Sequence, residues 1–237
     1  MSWGRNKLSL SRFAVAALLA SAAASAAANV LVVRSSGPSA KSYPPGRSLP
    51  DNARLALQGG DTVVLLNARG TRTFRGPGTF SPAQAVQASA RTVQGSNGRR
   101  ARIGAVRSAG IVPTSPTTIW HIDVSQGGTM CLASTSDVML WRPEAAEATT
   151  VTIVGPNRAS HDLAWPAGST TAAWPAQLPI ADGAVYELRQ AGVAVPTRVT
   201  FKTLQSAPSD IQAVAEALIR NRCQEQLDLL VATAPAE

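Results

Sequence analysis

Residues 119–132 read IWHIDVSQGGTMCL, and the fold follows from how that stretch divides. In Ile119–Val124, His121 and Asp123 fall on the face opposite Trp120, Ile122 and Val124, which is the period of a strand with one buried side. Gln126-Gly127-Gly128 has turn chemistry and Thr129–Leu132 resumes as a strand, so a hairpin is expected here. Further strand signals lie at Asp137–Trp141, Thr149–Val154, Ser160–Trp165, Thr170–Trp174, Ala184–Leu188 and Arg198–Thr203. In the last of these, Val199 and Phe201 alternate with Arg198, Thr200 and Lys202. Short strands spaced roughly 8–12 residues apart predict a β-sandwich or small barrel over residues 113–205.

Toward the end of the sequence, residues 206–237 predict a helix packed on that sheet. Ser209-x-x-Gln212 can form a capping box, and Ile211, Val214, Ala215, Leu218 and Ile219 recur at helical spacing. Cys223, Leu227, Leu230 and Val231 extend the stripe, with Asn221 as a potential break. The only cysteines are Cys131, at a strand end, and Cys223, on this helix; a disulfide between them would pin the helix to the second β module.

Toward the beginning, residues 81–112 read as a connector. Ser81-Pro82 can start a short helix, Gly95-Ser96-Asn97-Gly98 ends it, and the basic cluster Arg99, Arg100, Arg102 follows. Ser and Gly surround that cluster and no aromatic accompanies it, so it does not read as a nucleic-acid patch. Before it, Val30–Val33, Thr62–Leu66 and Thr71–Phe74 are strands separated by turn signals, forming a small β module over residues 29–80.

Three runs in that module carry a resemblance: Pro45-Gly46-Arg47-Ser48-Leu49, Leu57-Gln58-Gly59-Gly60-Asp61-Thr62-Val63 and Arg75-Gly76-Pro77-Gly78-Thr79. Together they resemble FecR-like periplasmic domains, with a G-x-x-L turn, a G-D-x-[VI] strand entry and a glycine-centred hairpin. The resemblance implies an exported β-rich module used for envelope sensing or protein contact, without catalysis. Full-length iron-citrate regulators of that kind carry cytoplasmic and transmembrane parts.

Residues 1–28 fit a signal peptide. Arg5, Lys7 and Arg12 form a cationic start, FAVAALLA at Phe13–Ala20 is a short apolar core, and Ala26-Ala27-Ala28 offers a cleavage site. The apolar run is shorter than the roughly 20 residues needed to span a bilayer. A periplasmic or secreted protein, cut near Ala28 and with no transmembrane segment left in the mature chain, is the expectation.

The net charge is +8, and only 15% of residues are charged, too few for a disordered polyelectrolyte. Residues 29–112 carry 12 Lys/Arg against Asp51 and Asp61, whereas residues 113–237 carry 7 Lys/Arg against 12 Asp/Glu. Either the halves neutralise one another, or the basic half faces an anionic envelope polymer or protein through Arg69, Arg72, Arg75, Arg99, Arg100 and Arg102.

Chemistry-bearing constellations are sparse. The mature sequence contains no G-x-S-x-G elbow, no S-x-x-K and no phosphate-binding glycine loop followed by Lys. His121, Asp123 and His161 could serve a hydrolase around a metal or water, but H-E-x-x-H and C-x-x-C are both missing, so no metal or cofactor is expected. Trp120, Trp141, Trp165 and Trp174 are candidates for a glycan platform, which requires at least two indoles exposed on one surface; burial in the sandwich core is the competing expectation. The sequence therefore predicts an exported, noncatalytic, mainly β protein that binds or scaffolds through protein contacts.

Overall fold

The computed structural model describes Met1 and residues 29–83, 115–206 and 208–237. The expected signal peptide, the helix expected after Ser81-Pro82 beyond residue 83, and Arg99, Arg100 and Arg102 lie outside the described residues. Among the described residues the protein is mainly β, with four sheets and, near the end of the sequence, two α-helices.

The first module contains β1 (Asn29–Ser36), β2 (Ser48–Pro50), β3 (Leu55–Leu57), β4 (Thr62–Asn67), β5 (Gly70–Arg75) and β6 (Gly78–Phe80). Four of them form a sheet in the order β2-β1-β4-β5, while β3 and β6 pair separately. Val30, Val32, Val63, Leu65 and Phe74 point from the larger sheet onto Leu55 and Leu57 of the smaller one. Leu31, Val33, Val64 and Leu66 point the opposite way, so β1 and β4 are apolar on both faces. A strand buried on both faces needs a second cover.

The turn before β4 is held by Asp61, which is 2% exposed. Its Oδ1 accepts the Ser39 main-chain N–H at 2.8 Å and its Oδ2 that of Gln58 at 2.5 Å, tying the β1–β2 connection to the β3–β4 turn. Gly37, at φ +97°, lies so close that a Cβ would meet Asp61 Oδ1 at 2.5 Å and the Gly60 carbonyl at 2.8 Å. Burial pushes the Asp61 carboxyl upward, but hydrogen bonds from Ser39 and Gln58 outweigh it and hold the pKa below its ordinary 3.8. A depressed carboxylate pKa contributes stability above the unfolded value, and that contribution is lost as pH falls below it through the folded pKa. Asp61→Asn should therefore lower the thermal midpoint at neutral pH. The gap to wild type should narrow below about pH 3.8, and a gap unchanged down to pH 2 would contradict the linkage.

The second module is a sandwich. β8 (Gly128–Leu132), β10 (Thr149–Val154), β11 (Ser160–Trp165), β13 (Val185–Gln190) and β14 (Thr197–Thr203) form a sheet in the order β11-β10-β13-β14-β8. β7 (His121–Asp123), β9 (Met139–Trp141) and β12 (Thr171–Ala173) form the facing sheet, ordered β12-β9-β7. Ile122, Leu140, Ile153, Leu188, Val199 and Phe201 are each buried in one shared core. Removing such a side chain from water contributes about 1.5–3 kcal/mol.

The hairpin expected at 119–132 does not form. β7 pairs in parallel with β9, and β8 pairs in parallel with β14, so the two neighbours in sequence enter different sheets. Gly127 serves close packing, since a Cβ there would meet the Arg198 carbonyl at 3.0 Å, whereas Gly128, with open space around it, supplies the backbone at φ +130°.

The expected single helix is two, α1 (Ile211–Asn221) and α2 (Gln224–Thr233). Arg222 adopts the left-handed conformation at φ 60° and ends α1. The cap is Asp210 rather than Ser209, its carboxylate accepting the Ala213 N–H at 2.8 Å. As expected, α2 packs on β8 of the second module, and the apolar stripe also reaches further than expected, to the first module. Ala215, Leu218, Leu227 and Leu230 pack against Leu31, Val33, Val64 and Leu66, supplying the second cover of the first module's sheet. The second module meets this cluster at Cys131, which is bridged to Cys223 with Cα atoms 5.8 Å apart.

Candidate functional site

The β4–β5 hairpin turns through Ala68-Arg69, with Asn67 Oδ1 accepting the main-chain N–H groups of Arg69 and Gly70 at 2.8 and 3.1 Å. β5 is the edge of its sheet, and edge strands present unpaired main-chain groups. Here the edge is engaged by the segment Pro235–Glu237. The Thr71 N–H donates to the Pro235 carbonyl at 2.8 Å, and the Glu237 N–H donates to the Thr71 carbonyl at 3.0 Å, a parallel bridge centred on Ala236.

The Glu237 carboxylate completes the arrangement. Arg69 Nε lies 2.9 Å from one oxygen, and Arg72 Nε lies 2.9 Å from the other, which also accepts from Asn67 Nδ2 at 3.0 Å. Arg72 is buried, and its Nη1 donates to the Pro82 carbonyl, so one arm of the clamp is rigidly seated. Arg69 is exposed. Arg75 ends β5 and is exposed. Three of the six arginines expected to bind an anion therefore line one strand and its turn, and two of them already hold a carboxylate of the same chain. A third ion pair between the basic and acidic parts of the sequence joins Arg34 to Asp228.

His121 and Asp123 lie together on the wall of a cavity of about 360 Å³ between β7 and α2, with Met130, Glu225, Asp228 and Leu229 around it. Burial holds the His121 pKa below 6.5, favouring the neutral imidazole. Asp123 is committed to a turn, its Oδ1 accepting the Ser125 N–H at 2.8 Å and the Ser125 hydroxyl at 2.6 Å. His161 does not join them. It sits on β11, which is the edge of the five-stranded sheet opposite β8. Among the described residues, no group of three or more His, Cys, Asp or Glu is placed to hold a metal ion.

The indoles are taken up by packing. Trp141 and Trp165 are each 1% exposed. Trp174 is half-buried, donating to the Leu178 carbonyl at 2.7 Å and meeting Tyr186 and Phe201 edge-on. Of the four candidate indoles, Trp120 and Trp174 keep partial exposure. Arg142, which no sequence pattern singles out, is buried with its guanidinium 5.1 Å from the Trp165 ring centre and bonded to the Ser169 and Pro166 carbonyls.

Sequence reasoning also misses Gln226. Its amide is 2% exposed; Oε1 accepts the Cys131 N–H at 2.6 Å, and Nε2 donates to the carbonyls of Cys131 and Ile119 at 2.9 and 2.8 Å. One side chain thus pairs the outer edge of β8 as a neighbouring strand would. A polar residue inside an apolar helical stripe is the one signal that points to it.

Compared with protein-family models, curated proteins and solved structures, the chain matches none.

Proposed function

We propose that this is an exported, noncatalytic protein of the cell envelope that binds or scaffolds through protein contacts. The observation that carries the reading is the joint between the modules. A disulfide with both sulfur atoms on fully buried residues, the Gln226 amide and a shared apolar cluster hold the two β modules as one body. Disulfides persist in oxidising compartments, in keeping with the leader-like residues 1–28. A rigid body with a cationic strand edge suits presentation of a surface to a partner. The FecR-like turn motifs at Gly46–Leu49 and Gly59–Val63 support the same reading, since Gly60-Asp61 acts here as a structural knot.

Purified protein should be retained on envelope fractions, and the retention should fall steeply as salt rises. Exposed charges are screened beyond about 8 Å at physiological ionic strength. Neutralising Arg69, Arg75, Arg99, Arg100 and Arg102 together should abolish it. Salt-insensitive retention, or none at low salt, would favour mutual neutralisation of the two halves instead.

A further inference from the structure

The edge of β5 is built to receive an extended segment, and the structure displays one in place. Three independent features specify it. Both main-chain groups of Thr71 are paired by Pro235–Glu237. Asn67, Arg69 and Arg72 converge on one carboxylate. Gly70, at φ +151°, clears the path, because a Cβ there would stand 2.1 Å from the Pro235 carbonyl oxygen.

The segment is not what anchors α2. The disulfide, Gln226 and the apolar stripe already fix that helix, whereas Thr233, Pro235 and Ala236 are exposed and only the Glu237 side chain, 16% exposed in its clamp, is tucked in. Segments with few buried contacts open at low free-energy cost. The edge also continues past the bridge. Because Thr71 directs its N–H and C=O away from β4, the two-residue period of a strand directs those of Thr73 and Arg75 the same way, and both residues are exposed. The segment pairs in parallel, so a longer one would run on past them.

From this geometry we infer that the β5 edge is a strand-addition site for an extended acidic segment of a partner protein, with Pro235–Glu237 as its built-in competitor. The required pattern is a main-chain carbonyl for Thr71, a small residue, then a Glu side chain in the Asn67–Arg69–Arg72 clamp. Main-chain pairing gives such a complex its affinity and the side-chain pocket its specificity. A tethered competitor acts at an effective concentration of about millimolar, so a partner displaces it by also pairing Thr73 and Arg75. The inference rests on the protein-contact reading above and names the partner's chemistry.

The test uses the otherwise complete mature chain lacking residues 235–237, with acetyl-ATAPAE-amide as probe. Amidation leaves the Glu side chain as the only carboxylate. The truncated chain should bind the peptide, shifting the Thr71 and Thr73 amide resonances, and the untruncated chain should bind it about tenfold more weakly or worse. Replacing the peptide's Glu by Gln should cost about tenfold, the scale of a hydrogen bond to a charged group. If truncation impairs folding, the full chain carrying Glu237→Gln should bind the peptide more tightly than wild type does. No binding to either variant overturns the inference. So does binding that ignores the Glu-to-Gln change, or capture of a polyanion such as heparin in place of the peptide. Peptide binding that fails while envelope retention persists sinks this inference alone; lost retention with intact peptide binding sinks the envelope reading alone.

Discussion

Replacing Cys131 and Cys223 together with alanine should lower the unfolding free energy by about 4 kcal/mol, read from denaturant unfolding with the slope fitted for each protein, because the freed unfolded chain exposes more surface and steepens it. The bridge closes a loop across 92 residues, and cross-linking a loop of that length removes a large share of the unfolded chain's freedom. Few single features approach that size in a domain whose total stability is roughly 5–15 kcal/mol. Both cysteines are fully buried, so reductant should reach the bridge only through opening of the joint. Denatured, unreduced protein should show no free thiol. Two free thiols, or a double variant as stable as wild type, would remove the bridge from any account of the fold.

What the sequence reveals and what it conceals divide along a physical line. Alternation within a strand is local, so the buried pair Val199 and Phe201, and the bounds of β10 and β11, are legible in the residues themselves. Pairing partners are not local. The Gly127-Gly128 turn reads as a hairpin because glycine signals both tight turns and close backbone approach, and here the second use prevails against Arg198. The destination of the helices is legible in one unexpected place. Val30–Val33 and Val63–Leu66 are unbroken apolar runs, the mark of strands covered on both faces, and the amphipathic C-terminal stripe supplies one of those covers.

The candidate site shows the same division. Charge asymmetry singles out Arg69, Arg72 and Arg75, and the β4–β5 hairpin does gather them along one edge. Nothing local to Pro235–Glu237 announces that this segment returns to Thr71, more than 160 residues earlier in the chain. His121 and Asp123 share a wall because the two-residue strand period places them together, whereas His161 is grouped with them by residue type alone.

Gln226→Leu should cost about 3 kcal/mol or more, the second-largest loss expected for this chain. Leucine fills similar space but leaves the Cys131 N–H, the Cys131 carbonyl and the Ile119 carbonyl without the partner they have now, and each stranded buried group costs about 1–3 kcal/mol. Gln226→Glu separates hydrogen bonding from packing. An ionised carboxylate would face two carbonyl oxygens, so the folded state favours the protonated acid and raises its pKa above the unfolded value. Stability of that variant should then be greatest below the unfolded Glu pKa and fall as pH rises through the folded one, the reverse of the Asp61 linkage. A loss independent of pH would mean that the amide's donor role is unimportant. The disulfide and Gln226 grip the same residue, Cys131, so their losses should not add. With the bridge removed, β8 and α2 can part enough for water to pair the stranded groups, and Gln226→Leu should cost less there than in the bridged protein.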